Sequence, residues 1–347
     1  MNKLTENWEK IYQNCSDDKQ FLRQHWFDTW TIFEQENNSW HGGIHYHSVT
    51  DNDDAAILPY SFQKVGPFNF ASLAGMFFPH RAIPNTRSTL GLAKKMVSAL
   101  AMIDSVVGFR MGPVESTDPF ICKMIVALEE ANWKLMTSSI GFDFGLAVPE
   151  TEDEYMGSLS KNRRKKARNA ANKLDRMGAV EIKNYKGVTQ DVWSKVIADL
   201  AIIEQNAWVA DGGEPRFLGE YNQAFWNKLV ESKWFSDAMD VWIMYLDGVP
   251  VSHLTSIDTA DVRYAFACSY DEKVANFTTG AALEMAMMKA VTQTNIKDVN
   301  NGLGNSGYKA KWGSTQLAEL IDVVAFPPTF MGRIAYMLAR LKVALGR

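Results

Sequence analysis

In the stretch Phe277-Thr278-Thr279-Gly280-Ala281-Ala282, a glycine and small side chains stand where a strand hands over to a helix. The first amides of a helix lack intrahelical partners and its dipole is positive at that end, so a phosphate can settle there if no side chain blocks the approach. An ordinary strand-to-helix turn with a glycine has the same look. A second anion-binding feature is the run 158–178, which holds eight Lys or Arg residues and one acid. The remainder of the chain carries 28 basic against 39 acidic residues, a balance of −11. A local basic surface on an acidic protein points to a specific anionic ligand more than to general nucleic-acid binding. Its apolar positions Leu159, Ala167, Ala170, Ala171, Leu174 and Met177 also fit a solvated charged face that packs its other side.

The elements that must position these residues follow from apolar spacing and turn chemistry. Residues 10–36 read as a helix with Phe21, Trp26, Trp30 and Phe33 as a buried stripe, followed by strands at 43–49 and 55–62 and long loops at 65–84. A helix at 90–103, a strand at 106–111, a helix at 119–131 and a strand at 133–146 complete the first half. After Pro149 come the basic helix, helices at 190–204 and 220–232, and strands at 240–246 and 251–258 joined through Asp247-Gly248. A strand at 261–270 leads through a loop at 271–279 into a helix at 280–293, then a strand at 296–300. The order is that of a mixed α/β protein in two halves, 1–150 and 151–326, with an amphipathic helix at 327–347.

The landmarks of the second half, in order, resemble the acetyltransferase (GNAT) family of the CelD/BcsL-like type, associated with cellulose and exopolysaccharide synthesis and related to the Fem-type aminoacyl ligases. They are Ser158-Leu159-Ser160-Lys161 with Arg163, Arg164 and Arg168; Ala207-Trp208; Asp247-Gly248-Val249-Pro250-Val251-Ser252; Ser269-Tyr270-Asp271; Phe277 to Leu283; and 304–307 followed by Tyr308-Lys309-Ala310-Lys311-Trp312. The resemblance implies a tandem GNAT-like fold and an acyl-CoA, such as acetyl-CoA, as donor substrate bound at Phe277, Thr278, Thr279, Gly280, Ala281 and Ala282. Two positions depart from the pattern: Phe277 replaces the usual Gln or Arg, and Thr279 the usual proline.

Acyl transfer from a thioester needs a deprotonated acceptor, a polarised carbonyl and a stabilised leaving thiolate. Tyr308 is the candidate donor to the thiolate, with an anchoring core tyrosine as the alternative. Glu204 ranks first as general base, His253 second and Asp258 third; a surface carboxylate and a hydrogen-bonded core histidine are the competing roles. Trp208 is placed at the acceptor pocket, and Arg163, Arg164, Lys309 and Lys311 at CoA phosphates or an anionic acceptor. The acceptor is expected to be an amine or hydroxyl of a polysaccharide, envelope or lipid-linked molecule. A Fem-like ligase using aminoacyl-tRNA and a silent GNAT-like scaffold are the rival readings.

Other classes lack support. His45 and His47 share one strand face without an HExxH or Cys and His cluster, so no metal is expected, and neither GxSxG nor GxxxxGK[ST] occurs. Three scattered cysteines, Cys15, Cys122 and Cys268, read as buried reduced thiols of a cytoplasmic protein. No apolar run reaches the span of a bilayer. In the tail, Phe330, Ile334, Leu338, Leu341 and Leu345 share a side, with Arg333, Arg340 and Lys342 elsewhere. Such a helix either docks on its own protein or lies on a membrane surface.

Overall fold

The computed structural model describes residues 3–14, 22–34, 40–75, 82–174, 178–304 and 307–345. Its contacts group the chain into one unit of 1–142 with 318–347, and another of 143–317. The sequence places a boundary at 150 and sets the last helix apart; in the structure the last thirty residues return to the first unit.

The first unit opens with α1 (Lys3–Asn14) and α2 (Gln24–Trp30), then strands β1 (Trp40–Asp51), β2 (Asp54–Val65) and β3 (Phe68–Leu73). The single helix expected at 10–36 is thus two helices and a 3-10 turn at Thr31–Glu34. Trp26 is buried and Trp30 half-buried, whereas Phe21 and the Phe33 side chain lie outside the described residues. β3 falls where loops were expected: Ala71 and Leu73 are buried between antiparallel β2 and a parallel neighbour, β4 (Val106–Glu115). Residues 76–81 of that expected loop region lie outside the described residues. α3 (Leu90–Leu100) and α4 (Pro119–Glu130) start at residues with capping chemistry. Thr89 accepts the Leu92 amide at 3.2 Å, and Asp118 accepts those of Phe120 and Ile121 at 2.9 and 3.0 Å. Their buried faces, including Leu92, Met96, Phe120 and Met124, pack with Leu58, Phe109 and Val323 into one core. β5 (Lys134–Ala147) crosses the boundary between the units.

In the second unit the acidic α5 (Glu152–Ser158) precedes α6 (Lys161–Leu174), which carries most of the basic run, with buried, extended Leu159 between them. Ala171's side chain and Met177 lie outside the described residues. Then follow β6 (Val180–Lys186), α7 (Gln190–Gln205), α8 (Val209–Gly212), α9 (Glu220–Val230) and α10 (Lys233–Ala238). Antiparallel β7 (Met239–Leu246), β8 (Val249–Asp258) and β9 (Val262–Tyr270) continue the sheet from β6. A 3-10 turn at Glu272–Phe277 leads into α11 (Thr279–Val291), which returns to β10 (Asp298–Leu303), parallel to β9. β10 also pairs antiparallel with Gly145–Ala147 of β5. After α12 (Tyr308–Lys311), β11 (Thr315–Phe326) and α13 (Phe330–Ala344) rejoin the first unit, β11 antiparallel to β4.

Side chains alternate across the sheet. Trp242 and Leu254 face the cores built with α6 and α11, while His253 faces Phe217 on the α7 and α9 side. Two irregularities matter. Pairing of β8 with β9 slips between Thr255 and Ser256, leaving Phe266 as a bulge residue. Pairing of β9 with β10 covers only 262–264, so from Ala265 onward β9 has no β10 neighbour. No helix among the described residues is long and apolar enough to cross a membrane.

Candidate functional site

The mouth of α11 is held open by backbone strain and by a glycine. Thr278 caps the helix at φ +60°, ψ +35°, a left-handed conformation that costs a β-branched residue about 1–2 kcal/mol. Its carbonyl accepts the Ala281 and Ala282 amides at 2.9 and 3.3 Å, which leaves the Thr279 and Gly280 amides at the open end. Gly280 has no left-handed φ, and a Cβ there would meet only the Tyr308 hydroxyl, at 3.7 Å. Nothing among the described residues therefore demands glycine; what it preserves is room. Thr278, Thr279, Gly280 and Ala281 line a cavity of about 430 Å³ together with Arg163, Trp208, His253, Cys268 and Tyr308.

The Arg163 guanidinium lies 3.6 Å from the Trp312 ring centroid and 5.7 Å from that of Tyr308, a stacked, poorly hydrated setting that pushes its pKa down through burial. Its Nε is buried without a partner among the described residues. Tyr308 keeps 39% of its surface open, while burial, Glu284 and Cys268 raise its hydroxyl well above the ordinary tyrosine range. It stays protonated and can donate a hydrogen bond. His253 is buried in β8, its Nδ1 3.3 Å from the Thr255 hydroxyl and its Nε2 without a partner among the described residues. Burial pushes the imidazole down to about 3, so it is neutral near pH 7.

A second cavity of about 210 Å³ opens where β9 has parted from β10 and shares Leu254, Cys268 and Tyr308 with the first. Glu284 lies in its wall, 6% exposed, with Lys309 and Asn301 also lining it. Burial raises the Glu284 carboxyl to about 7, against the opposing pull of Arg163 and Arg263. The sequence reads 280–293 as a strongly apolar helix, and Glu284 is not among the candidate residues it offers. The available signal was one acid among apolar neighbours, a turn beyond the glycine. Cys268 was expected in the core and instead faces both cavities, where burial pushes its thiol up to about 11. It is a protonated wall residue at neutral pH. Cys122 is likewise exposed, contrary to expectation, and Cys15 lies outside the described residues.

Several predicted site residues are engaged elsewhere. Glu204 is buried, and its carboxylate accepts the amides of Arg216, Phe217 and Leu218 at 3.0, 2.7 and 3.0 Å. It pins the loop before α9 and has no place in either cavity wall, so a base role does not fit it. Asp258 is bound to Arg263 at 2.8 Å and Lys186 at 3.2 Å. Arg164 donates to the Gly157 and Leu159 carbonyls at 2.9 and 2.7 Å, closing the turn between α5 and α6. Lys309 donates to the Gly302 and Leu303 carbonyls at 2.8 and 2.7 Å. Lys311 is exposed and lines neither cavity. Phe277 and Ala282, the ends of the predicted cradle, pack into the core instead. Among the described residues no group of His, Cys, Asp and Glu could hold a metal ion.

Every residue lining the first cavity, from Arg163 to Tyr308, falls within one family-defined stretch. Residues 161–310 match the acetyltransferase (GNAT) domain model. The cavity at the α11 mouth thus lies wholly within the stretch that matches this model. Among solved structures, the crystal structure of FemX aligns over 97% of this chain and 98% of its own at 12% identity, with a TM-score of 0.67. The C-terminal domain of a putative lysylphosphatidylglycerol synthetase from Agrobacterium fabrum aligns over 97% and 96% at 11% identity, with a TM-score of 0.53. A protein of unknown function from Bacteroides thetaiotaomicron aligns over 93% and 97% at 12% identity, with a TM-score of 0.56. At such identities the likeness concerns the fold, and the fold is the mixed α/β, tandem GNAT-like one expected from the sequence. No curated protein matches the chain by sequence.

Proposed function

We propose that the second unit is an acyltransferase that takes an acyl group from an acyl-CoA and places it on a small amine or hydroxyl. The observation that carries this reading is the α11 mouth: a helix N-terminus whose first amides lack intrahelical partners, a glycine with room around it, and a cavity of about 430 Å³ that both line. The helix dipole and those amides suit the donor's pyrophosphate, and Arg163 at the rim adds a positive charge. Tyr308, Cys268 and Leu254, shared by both cavities, mark where donor and acceptor would meet.

In this reading the acceptor's amine nitrogen attacks the thioester carbonyl carbon, the C–N bond forms and the C–S bond breaks. Glu284, with a carboxyl near 7, takes the proton of the incoming ammonium at a pH where base and conjugate acid are both populated. His253 is a poorer base, because a pKa near 3 makes its protonation at neutral pH strongly uphill. Tyr308 stabilises the leaving thiolate by a hydrogen bond; its raised pKa makes full proton transfer to a thiolate of ordinary basicity unfavourable. The second proton that the nitrogen loses on becoming an amide passes to solvent, and solvent protonates the thiolate. Calorimetric titration of the full chain with acetyl-CoA and longer acyl-CoAs tests the proposal. Micromolar binding that Gly280→Trp abolishes is expected, and absence of binding to every acyl-CoA would overturn it.

A second reading, transfer from an aminoacyl-tRNA, is favoured by one observation: Lys161, Lys165, Lys166 and Arg168 of α6 are exposed on the helix that supplies Arg163 to the cavity. It predicts tRNA binding that weakens steeply with salt and is lost on replacing those four residues.

A further inference from the structure

α13 has two apolar faces where one would suffice. Its protein-facing side joins small residues and one tyrosine: Gly332 and Ala335 are buried, and Ala339 and Tyr336 pack beside Phe326. Gly332 is required there, because a Cβ would lie 2.3 Å from the Pro327 carbonyl oxygen and 2.9 Å from the proline ring. At about 3.6 residues per turn, the side away from this contact carries Phe330, half-buried Ile334, Met337, Leu338, Leu341 and Leu345. Phe330 is 79% exposed, Leu341 56% and Leu345 63%. The sequence grouped most of these residues correctly on one side, and docking uses the opposite one.

Scattered apolar residues on a surface need no explanation, but a continuous outward stripe on one helix does. The charges on this helix narrow its partner. From Pro327 to the end of the chain every ionisable side chain other than Tyr336 is Arg or Lys, in a protein whose net charge is −4. Arg333 and Arg340 flank one edge of the stripe and Lys342 the other, and none forms an ion pair with a described residue. An apolar face with cationic shoulders and no acids is the pattern of a helix lying in a lipid headgroup layer, its apolar side down and its basic edges among anionic phosphates. A second copy of the chain would bring the same uncompensated positive charge to the contact.

We propose that the outward face of α13 docks on an anionic lipid bilayer with the helix parallel to the membrane surface. This concerns the first unit and stands apart from the chemistry assigned to the second.

The test is flotation of the full chain with vesicles of phosphatidylcholine alone or containing roughly 30% phosphatidylglycerol, the latter carrying the negative surface that basic residues sense. Binding to the anionic vesicles, weaker by at least about 25-fold on neutral ones, is expected from roughly a fivefold gain per basic residue. Phe330→Glu with Leu341→Glu should abolish it while thermal unfolding stays unchanged, since both side chains point away from the core. Arg333→Gln with Arg340→Gln should weaken binding to anionic vesicles by about 25-fold and leave weak binding to neutral ones unaltered. Failure of the folded chain to bind anionic vesicles, or equal binding to both kinds, overturns the proposal. So does a solution dimer that Leu341→Glu dissociates, which would assign the face to a second copy.

Discussion

The second unit buries two glutamates in opposite settings. Around Glu204 the carboxylate is met by three backbone amides from the loop before α9. Around Glu284 the carboxylate faces a cavity, and burial leaves it near pH 7. A buried carboxylate with its hydrogen bonds filled is a structural pin: burial still raises the Glu204 pKa, but the three amides oppose that rise and hold the group in place. One with open space and a raised pKa is a group whose proton can move during a reaction.

The largest expected effect separates the two. Glu284→Gln keeps the shape of the side chain and removes the base, so kcat/KM for acetyl transfer to an amine should fall by about 10²–10³-fold. A loss under about threefold would remove Glu284 from the chemistry. The pH profile sharpens the point. In the wild-type protein kcat/KM should climb about tenfold per pH unit as Glu284 ionises and level off above about 7; the glutamine variant should lack that limb. Stability runs the other way. The folded carboxyl titrates near 7 against an ordinary 4.5, so the stability due to its retained proton is complete below 4.5 and is lost as pH rises through 7. That loss is about 3 kcal/mol, and denaturant unfolding of Glu284→Gln should not show it.

Glu204→Ala should instead strand three amides and destabilise the protein by about 3 kcal/mol in denaturant unfolding. Its folded fraction should keep its specific activity. An inactive but normally stable variant would mean that Glu204 belongs to the chemistry after all. Tyr308→Phe should lower kcat by about tenfold or more with little change in KM, since the hydroxyl is assigned to the leaving group and not to donor affinity. Gly280→Ala is the smallest change: with 3.7 Å to the nearest protein atom, it should alter thermal unfolding by less than about 0.5 kcal/mol. Any weakening of acyl-CoA affinity would then report the ligand itself.

Regular apolar spacing made most elements readable in the sequence, among them α3, α4, α7, β7, β8, β9 and α11. Three strands were not. β3 lies in a Gly, Pro and Phe-rich stretch that imitates a loop. β6, with the sequence VEIKNYK, is an edge strand without a deeply buried face. β11 runs across the boundary between the units, so its partners are set by contacts remote in sequence. The α11 mouth was legible because its parts are adjacent in the chain. Glu204 was misread for the opposite reason: its partners lie twelve to fourteen residues further on, beyond the reach of any spacing rule. Glu284 was hidden by its apolar helix, although a lone buried acid among methionines and alanines deserved the suspicion that spacing alone did not raise.

The most direct test of the account is acetyl-CoA titration of the wild-type, Gly280→Trp and Glu284→Gln proteins side by side. Wild type and Glu284→Gln should bind with similar affinity and Gly280→Trp should not, separating a donor site at the α11 mouth from a proton acceptor beyond it. Binding that survives Gly280→Trp, or that is lost in Glu284→Gln, would contradict this division, and absence of binding in all three would remove acyl-CoA as the donor.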